Sequence, residues 1–179
     1  MLFAVFAAVA AFGYFATFTR QVTTVILVRH AEKNIEPSNP NPDLSPAGQA
    51  RARELVRILG NSGINAIYAT QYSRTQQTAA PLAEKLGLPV NKIDSSSTAE
   101  LVRQIRTAHR GETVFIAGHN NTVPQIISAI GGETLPVIPD NEFDNLYIVT
   151  VIRFGRAKVV KLKYGAPSPT GGGSGTMVP

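Results

Sequence analysis

The chain reads as an α/β domain, a three-layer α/β/α sandwich on a mainly parallel sheet with an antiparallel edge hairpin. Three observations predict this. Runs such as Val22 to Val28 (VTTVILV) and Thr113 to Gly118 (TVFIAG) are almost continuously apolar and rich in β-branched residues, as strands buried on both faces are. Such runs alternate with amphipathic stretches at helical spacing, which is the pattern of parallel strands joined by crossover helices. Near the end, Asn145 to Phe154 and Ala157 to Leu162 flank Gly155 and read as a closing hairpin.

Each element has its own local cause. After the first strand, Pro37, Pro40, Pro42 and Asp43 mark an irregular loop. Ser45 then caps a helix with Pro46 at its first position. That helix, Ala47 to Leu59, turns Ala50, Leu55, Ile58 and Leu59 inward and Arg51, Arg53, Glu54 and Arg57 largely outward. Asn65 to Thr70 is a short second strand. Ser73 to Leu86 is a helix ended by Gly87, with a kink or break expected at Pro81. Leu88 to Ile93 is the third strand, and Ser97-Thr98-Ala99-Glu100 reads as a capping box opening a helix to about His109. Thr113 to Gly118 is the fourth strand, and Thr122 to Ile130 is a helix stopped by Gly131-Gly132.

Composition bounds what the chain can be. Its 179 residues are 44% hydrophobic and 16% charged, one domain's worth, which excludes global disorder. With no cysteine, a disulfide scaffold and any thiolate metal site are excluded. The net charge of +5 comes from Arg153, Arg156, Lys158, Lys161 and Lys163; without these five the chain balances 12 against 12. A nucleic-acid binder spreads its basic residues over a broad face, so this short segment reads as a solvated outer strand, and no nucleic-acid partner is expected.

The ends read differently. Residues 1–19 carry no charge, and the apolar run from Leu2 to Phe18 has the length of a short membrane span or of a secretory signal's apolar region. A signal peptide or membrane anchor is expected there, and with it an exported or membrane-anchored protein on the envelope side. Residues 165–179, rich in Gly, Pro and Ser, read as a flexible tail. The folded unit is residues 22–164.

Chemistry concentrates where three strands end, the place where open α/β sheets bind ligands. The first ends in Arg29-His30-Ala31-Glu32-Lys33, the second in Thr70-Gln71-Tyr72-Ser73-Arg74, the fourth in Gly118-His119-Asn120-Asn121-Thr122. Two guanidinium forks can take phosphoryl oxygens bidentately. A neutral imidazole can attack phosphorus, and a second, protonated, can stabilise the charge that develops. Helices starting at Ser73 and Thr122 would point backbone amides at the same anion. No metal is required: two histidines without a nearby carboxylate pair make a poor zinc site.

The Arg29-His30 pair, the Ser73-Arg74-x-x-Gln77-Thr78-Ala79 stretch and the Gly118-His119 pair resemble the histidine phosphatase superfamily, and within it the phosphoglycerate-mutase-like branch. Leu44-Ser45-x-x-Gly48-Gln49 resembles the start of the family's first helix. The resemblance covers most of residues 22–164. It implies His30 as the nucleophile of a phosphohistidine intermediate, Arg29, Arg74 and His119 as the phosphate pocket, and no cofactor. Members of this branch often carry a large cap and a Glu acid after the third strand. Here that connection is short and reads Ile93-Asp94-Ser95-Ser96-Ser97. Candidates for the acid are Asp94, Glu142 or Asp144 just before the fifth strand, and Glu100.

These readings converge on a small uncapped, metal-independent phosphatase of phosphomonoesters or phosphohistidine. Its expected partner is a small phosphorylated substrate or an envelope phosphate group, with membrane attachment through residues 2–18. A phosphoglycerate-type mutase and a non-catalytic phosphate-binding envelope module are the alternatives. Glu32 and Lys33 read equally as substrate contacts or as ion-pair partners, His109 as a surface residue at a helix carbonyl end, and Tyr68 and Tyr72 as packing residues.

Overall fold

In this structure, a computed structural model, residues 22–151 and 157–169 are described. Along the chain run β1 (Thr23–Arg29), α1 (Pro46–Leu59), β2 (Ile64–Thr70), α2 (Ser73–Leu86), β3 (Val90–Ile93), α3 (Thr98–Thr107), β4 (Thr113–Gly118), α4 (Thr122–Ala129), β5 (Asn145–Val151) and β6 (Lys158–Lys163). The sheet order is β3-β2-β4-β1-β5-β6. The first four strands in sequence are mutually parallel, and β5 and β6 close one edge antiparallel. The fold class predicted from the sequence is the one observed.

Alternation along β1 shows why the sheet is covered on both faces. Ile26 and Val28 pack with Leu55, Leu59, Ala79, Leu82 and Phe115 beneath α1 and α2. Val25 and Leu27 pack with Leu101, Ile105, Val123, Ile126 and Ile127 beneath α3 and α4. Successive side chains of a strand point to opposite faces, and each large apolar one removed from water contributes about 1.5–3 kcal/mol.

Four local expectations need correction. In α1 the buried stripe is Gly48, Arg51, Ala52, Leu55 and Leu59, while Ala50 and Ile58 are exposed. Arg51 faces inward because its guanidinium grips the Glu32 carboxylate at 2.7 Å and the Tyr164 carbonyl at 2.9 Å. Ser97 does cap α3 by position, but its backbone (ψ 37°) is not extended and its side chain makes no capping bond. Glu100 turns instead to Arg103 and Gln104. Helix α2 runs through Pro81 without a break and ends at Gly87, whose φ of +65° suits a residue without Cβ.

The fourth correction concerns the start of the tail. The Ser168 hydroxyl accepts the amides of Phe143 and Asp144, its own amide donates to the Asp144 carboxylate, and Asn141 donates to the Pro169 carbonyl. Ser168 and Pro169 are therefore tied to the segment leading into β5. The tail beyond Pro169, the apolar run from Leu2 to Phe18, the turn at Gly155 and both Arg153 and Arg156 lie outside the described residues. Lys158, Lys161 and Lys163 sit exposed on the outermost strand, as read from the sequence. Among the described residues no helix is long and apolar enough to cross a membrane.

Candidate active site

Register creates the site. In the parallel pair β1/β4, Arg29 is the partner of Gly118. The next residue on each strand is a histidine, and the His30 amide donates to the Gly118 carbonyl at 2.8 Å. Neighbouring strands lie about 4.8 Å apart. Two imidazoles one step beyond a shared register therefore stand side by side, with ring centroids 5.4 Å apart and planes inclined at 67°. Gly118 is required where it is: a Cβ there would lie 2.9 Å from the Thr122 hydroxyl and 3.0 Å from Val123. That hydroxyl accepts the His119 amide at 2.8 Å and ties the second histidine to the start of α4.

His30 is 4% exposed, and its Nδ1 lies 2.8 Å from the Ala31 carbonyl. A carbonyl only accepts, so Nδ1 carries the proton and the lone pair is on Nε2. Burial, with Arg29, His119 and Arg74 nearby, pushes the His30 imidazole down to about 3. Burial and the same two guanidinium groups push His119 down to about 4. Both rings are therefore neutral at pH 7. His119 Nε2 is 2.9 Å from the Thr70 hydroxyl, which in turn meets the Thr75 hydroxyl at 2.8 Å.

The two arginines are held in different ways. Nη1 of Arg29 donates to the carbonyls of Pro139, Asp140 and Glu142 at 2.8, 3.0 and 3.0 Å, and its guanidinium lies 4.3 Å from the Phe143 ring centroid. Arg74 lies 4.5 Å over the Tyr72 ring. In each, Nε is buried without a hydrogen-bond partner. A buried N–H left unpaired costs about 1–3 kcal/mol, more for a charged group. Two such atoms flanking a histidine pair point to an anion that would take them up. Burial lowers the proton affinity of both guanidinium groups, yet both stay charged at pH 7.

The remainder of the arginine-containing stretch in α2 is scaffolding. Thr78 accepts the Ala31 amide at 2.9 Å and donates to the Arg74 carbonyl at 2.7 Å, linking the segment after His30 to the turn bearing Arg74. Gln77 accepts the Leu44 amide and donates to Asp43, closing the loop between β1 and α1 onto α2. At Gly48 a Cβ would come within 2.0 Å of the Glu32 carbonyl, which explains glycine at the start of α1.

A cleft of about 440 Å³ opens beside His119 and Arg74, lined by Tyr72, Ser95, Ser96, Asn120, Asn121 and Gln125 among others. Its walls carry amides and hydroxyls and no carboxylate. The carboxylates proposed from the sequence each have partners of their own. Asp94, fully exposed, accepts the amide and hydroxyl of Ser96, which hold it below the usual carboxylate range. Glu142 accepts from Asn145 at 2.7 Å and lies 3.7 Å from Lys163. Asp144 pairs with Lys163 at 2.8 Å and is held at about 2, the bonds from Lys163 and Ser168 outweighing its burial. Glu100 belongs to the Arg103 pair, and Glu32 serves Arg51, so of its two readings the ion pair is the observed one.

Sequence reasoning passed over two contributors to the site and misplaced one histidine outside it. Tyr72, read as packing, carries Arg74 on its face and meets His119 edge-on at 5.3 Å between centroids. Phe143 and the 139–142 carbonyls hold Arg29 across more than a hundred positions. His109, read as a surface residue, is half-buried between the Glu112 carboxylate and the Tyr68 hydroxyl, each 2.8 Å away. Among the described residues no three His, Cys, Asp or Glu side chains cluster so as to hold a metal.

Comparison with known proteins fits this geometry. Residues 25–95, which include Arg29, His30 and Arg74, match the histidine phosphatase superfamily (branch 1). Over 75 residues, 39% of this chain, the sequence is 37% identical to phosphoserine phosphatase 1 of Hydrogenobacter thermophilus. That match spans 36% of the relative, so the chain aligns with about a third of its length. The fold is shared with the protein histidine phosphatase SixA complexed with tungstate (TM-score 0.63, 17% identity, 78% of this chain and 96% of that one). It is shared also with a mycobacterial glucosyl-3-phosphoglycerate phosphatase (TM-score 0.61, 13% identity, 78% and 97%). The histidine phosphatase (branch 1) pattern thus runs through the first three strands, and the fold around them is the one these phosphatases share.

Proposed function

We propose that this protein is a metal-independent phosphatase that hydrolyses phosphomonoesters, or a phosphohistidine, through a covalent phosphohistidine on His30. One observation carries the reading: the β1/β4 register sets a neutral, backbone-oriented imidazole beside a second imidazole and two guanidinium groups with buried, unpaired Nε–H donors. Arg29 and Arg74 bind the phosphoryl oxygens. Nε2 of His30 attacks phosphorus in line with the leaving oxygen, while Nδ1–H keeps its bond to the Ala31 carbonyl and shares the positive charge that develops. A dianion beside His119 reverses the field that keeps that ring neutral, so His119 takes up a proton as substrate binds and donates it to an equatorial oxygen. Water then attacks the phosphohistidine and returns His30 to its starting form.

The likeness to phosphoserine phosphatase 1 and to SixA supports a small phosphorylated substrate or a phosphorylated protein side chain. The test is phosphoryl trapping on the full chain with a labelled aryl phosphate, with and without chelator. The expected result is turnover indifferent to chelator, and label held in an acid-labile, base-stable bond after denaturation. His30→Ala should abolish that label and lower kcat at least ~1,000-fold. Phosphate binding with no turnover would instead identify a binding module. Export or membrane attachment through residues 2–18 belongs to the same proposal, and fractionation of cells making the chain with and without that stretch tests it.

A further inference from the structure

The carboxylates nominated from the sequence each accept close hydrogen bonds or pair with a cation, yet an alkoxide leaving group needs a proton. We propose that Asp140, in the loop between α4 and β5, is the leaving-group acid of the reaction proposed above, on which this inference rests. Its Oδ1 accepts from Nδ2 of Asn120 at 2.9 Å, and Asn120 lines the cleft one residue beyond His119. The same oxygen lies 3.8 Å from Nη2 of Arg29, one of the two guanidinium groups that bind the phosphoryl group. The carboxylate is thus held within one side chain of the cleft and within an ion-pair distance of a phosphate ligand.

The loop that carries it is fixed at both ends of the turn. Ile138, 3% exposed and packed in the core, donates its amide to the Asn120 carbonyl at 3.0 Å. The carbonyls of Pro139, Asp140 and Glu142 all receive Nη1 of Arg29. The Asp140 side chain is nevertheless 91% exposed, so it can exchange protons with water. Its commitments are one neutral amide donor and a long ion pair. Asp144, Glu32, Glu100 and Glu142 have charged partners at 2.6 to 2.8 Å or a close amide bond supplemented by a lysine.

The step balances. Nε2 of His30 forms the N–P bond as the P–O bond to the leaving group breaks. The departing oxygen keeps that electron pair and takes the proton of the Asp140 carboxylic acid. In the second half-reaction the Asp140 carboxylate takes a proton from water, whose oxygen attacks phosphorus, and the N–P electron pair returns to Nε2.

Dependence on the leaving group tests this in the full chain. In Asp140→Asn the side-chain oxygen still accepts from Asn120, so the loop keeps its anchor. For this variant kcat/KM should fall about 100-fold with phenyl and alkyl phosphates, the order expected of general acid catalysis. With 4-nitrophenyl phosphate, whose phenolate leaves without help, it should fall less than about 3-fold, and Asp140→Glu should recover part of the loss. An equal fall on all three substrates means a positioning role and overturns the proposal, as does no change. If wild type is active and labels at His30 while Asp140→Asn shows no dependence on leaving group, Asp140 alone is excluded. If wild type is inactive on every substrate, the phosphatase reading falls and takes this one with it.

Discussion

Histidines stand at both ends of this sheet, and their surroundings separate them. At the carboxyl ends of β1 and β4, His30 and His119 face two guanidinium groups and each other. Near the amino ends of the same strands, His109 has a carboxylate on one ring nitrogen and a phenol on the other. Its carbonyl accepts from Thr23 at the start of β1, and Glu112 accepts the Thr24 amide. One end leaves cationic donors without partners; the other pairs both ring nitrogens of its histidine. The lesson is that the imidazole does not make a site. A surplus of unpaired charge of one sign does.

That contrast can be broken in order of effect. Removing the surplus at the carboxyl end should cost most. Arg74→Ala should lower kcat/KM with aryl phosphate by at least ~30-fold, about 2 kcal/mol of transition-state stabilisation, because it deletes a charged donor in a partly dry site. A loss under 3-fold in steady-state kinetics would mean that Arg29 alone holds the phosphoryl group.

Acid should act on the same end. His30 and His119 titrate at about 3 and about 4 when folded, against about 6.5 for an unfolded histidine. As pH falls below 6.5 the unfolded chain takes up protons that these folded rings refuse. Stability is full above that pH and drains away down towards 4, by roughly 1–2 kcal/mol for each ring at pH 5. Thermal unfolding followed from pH 7.5 to 5 should therefore show a loss that is smaller in His119→Gln. Added phosphate should also shrink it, since a bound anion supplies the missing partner. Parallel curves for wild type and His119→Gln would show that the ring does not carry this linkage.

The smallest effect belongs to the amino end. His109→Ala should leave kcat/KM within 2-fold of wild type and lower stability by about 1 kcal/mol, because the Tyr68 hydroxyl loses its partner. Melting about 2–4 °C earlier is the expected readout for a chain of this size. A large loss of activity with unchanged melting would place His109 in function.

Legibility follows the range of each interaction. Arg29-His30 and Gly118-His119 announce themselves because a buried apolar run ending in polar residues is a local signal, and the helix starts at Ser45 and Ser73 are local too. Arg51 could not be placed, because helical periodicity assigns arginine outward and what turns it in is the Glu32 carboxylate, nineteen positions earlier, with the distant Tyr164 carbonyl. Ser97 and Glu100 have the spacing of a reciprocal cap, but Arg103 competes for the carboxylate with a full charge. Tyr72 reads as an ordinary aromatic until Arg74 folds over it. The grip of the 139–142 carbonyls on Arg29 has no pattern to read, since any sequence supplies carbonyls.

By itself the sequence determined the layers, the helix and strand order and the rim where polar side chains gather, since these depend on hydrophobic period and on residues a few places apart. Only the tertiary structure decided that β1 and β4 are neighbours with Arg29 opposite Gly118, so that two imidazoles meet. It alone decided which carboxylates are held in close ion pairs and that Asp140 stands at the longer distance of 3.8 Å from Arg29. Those outcomes depend on competition among partners distant in the chain, and pairing energies of this kind are settled only when every competitor is in place.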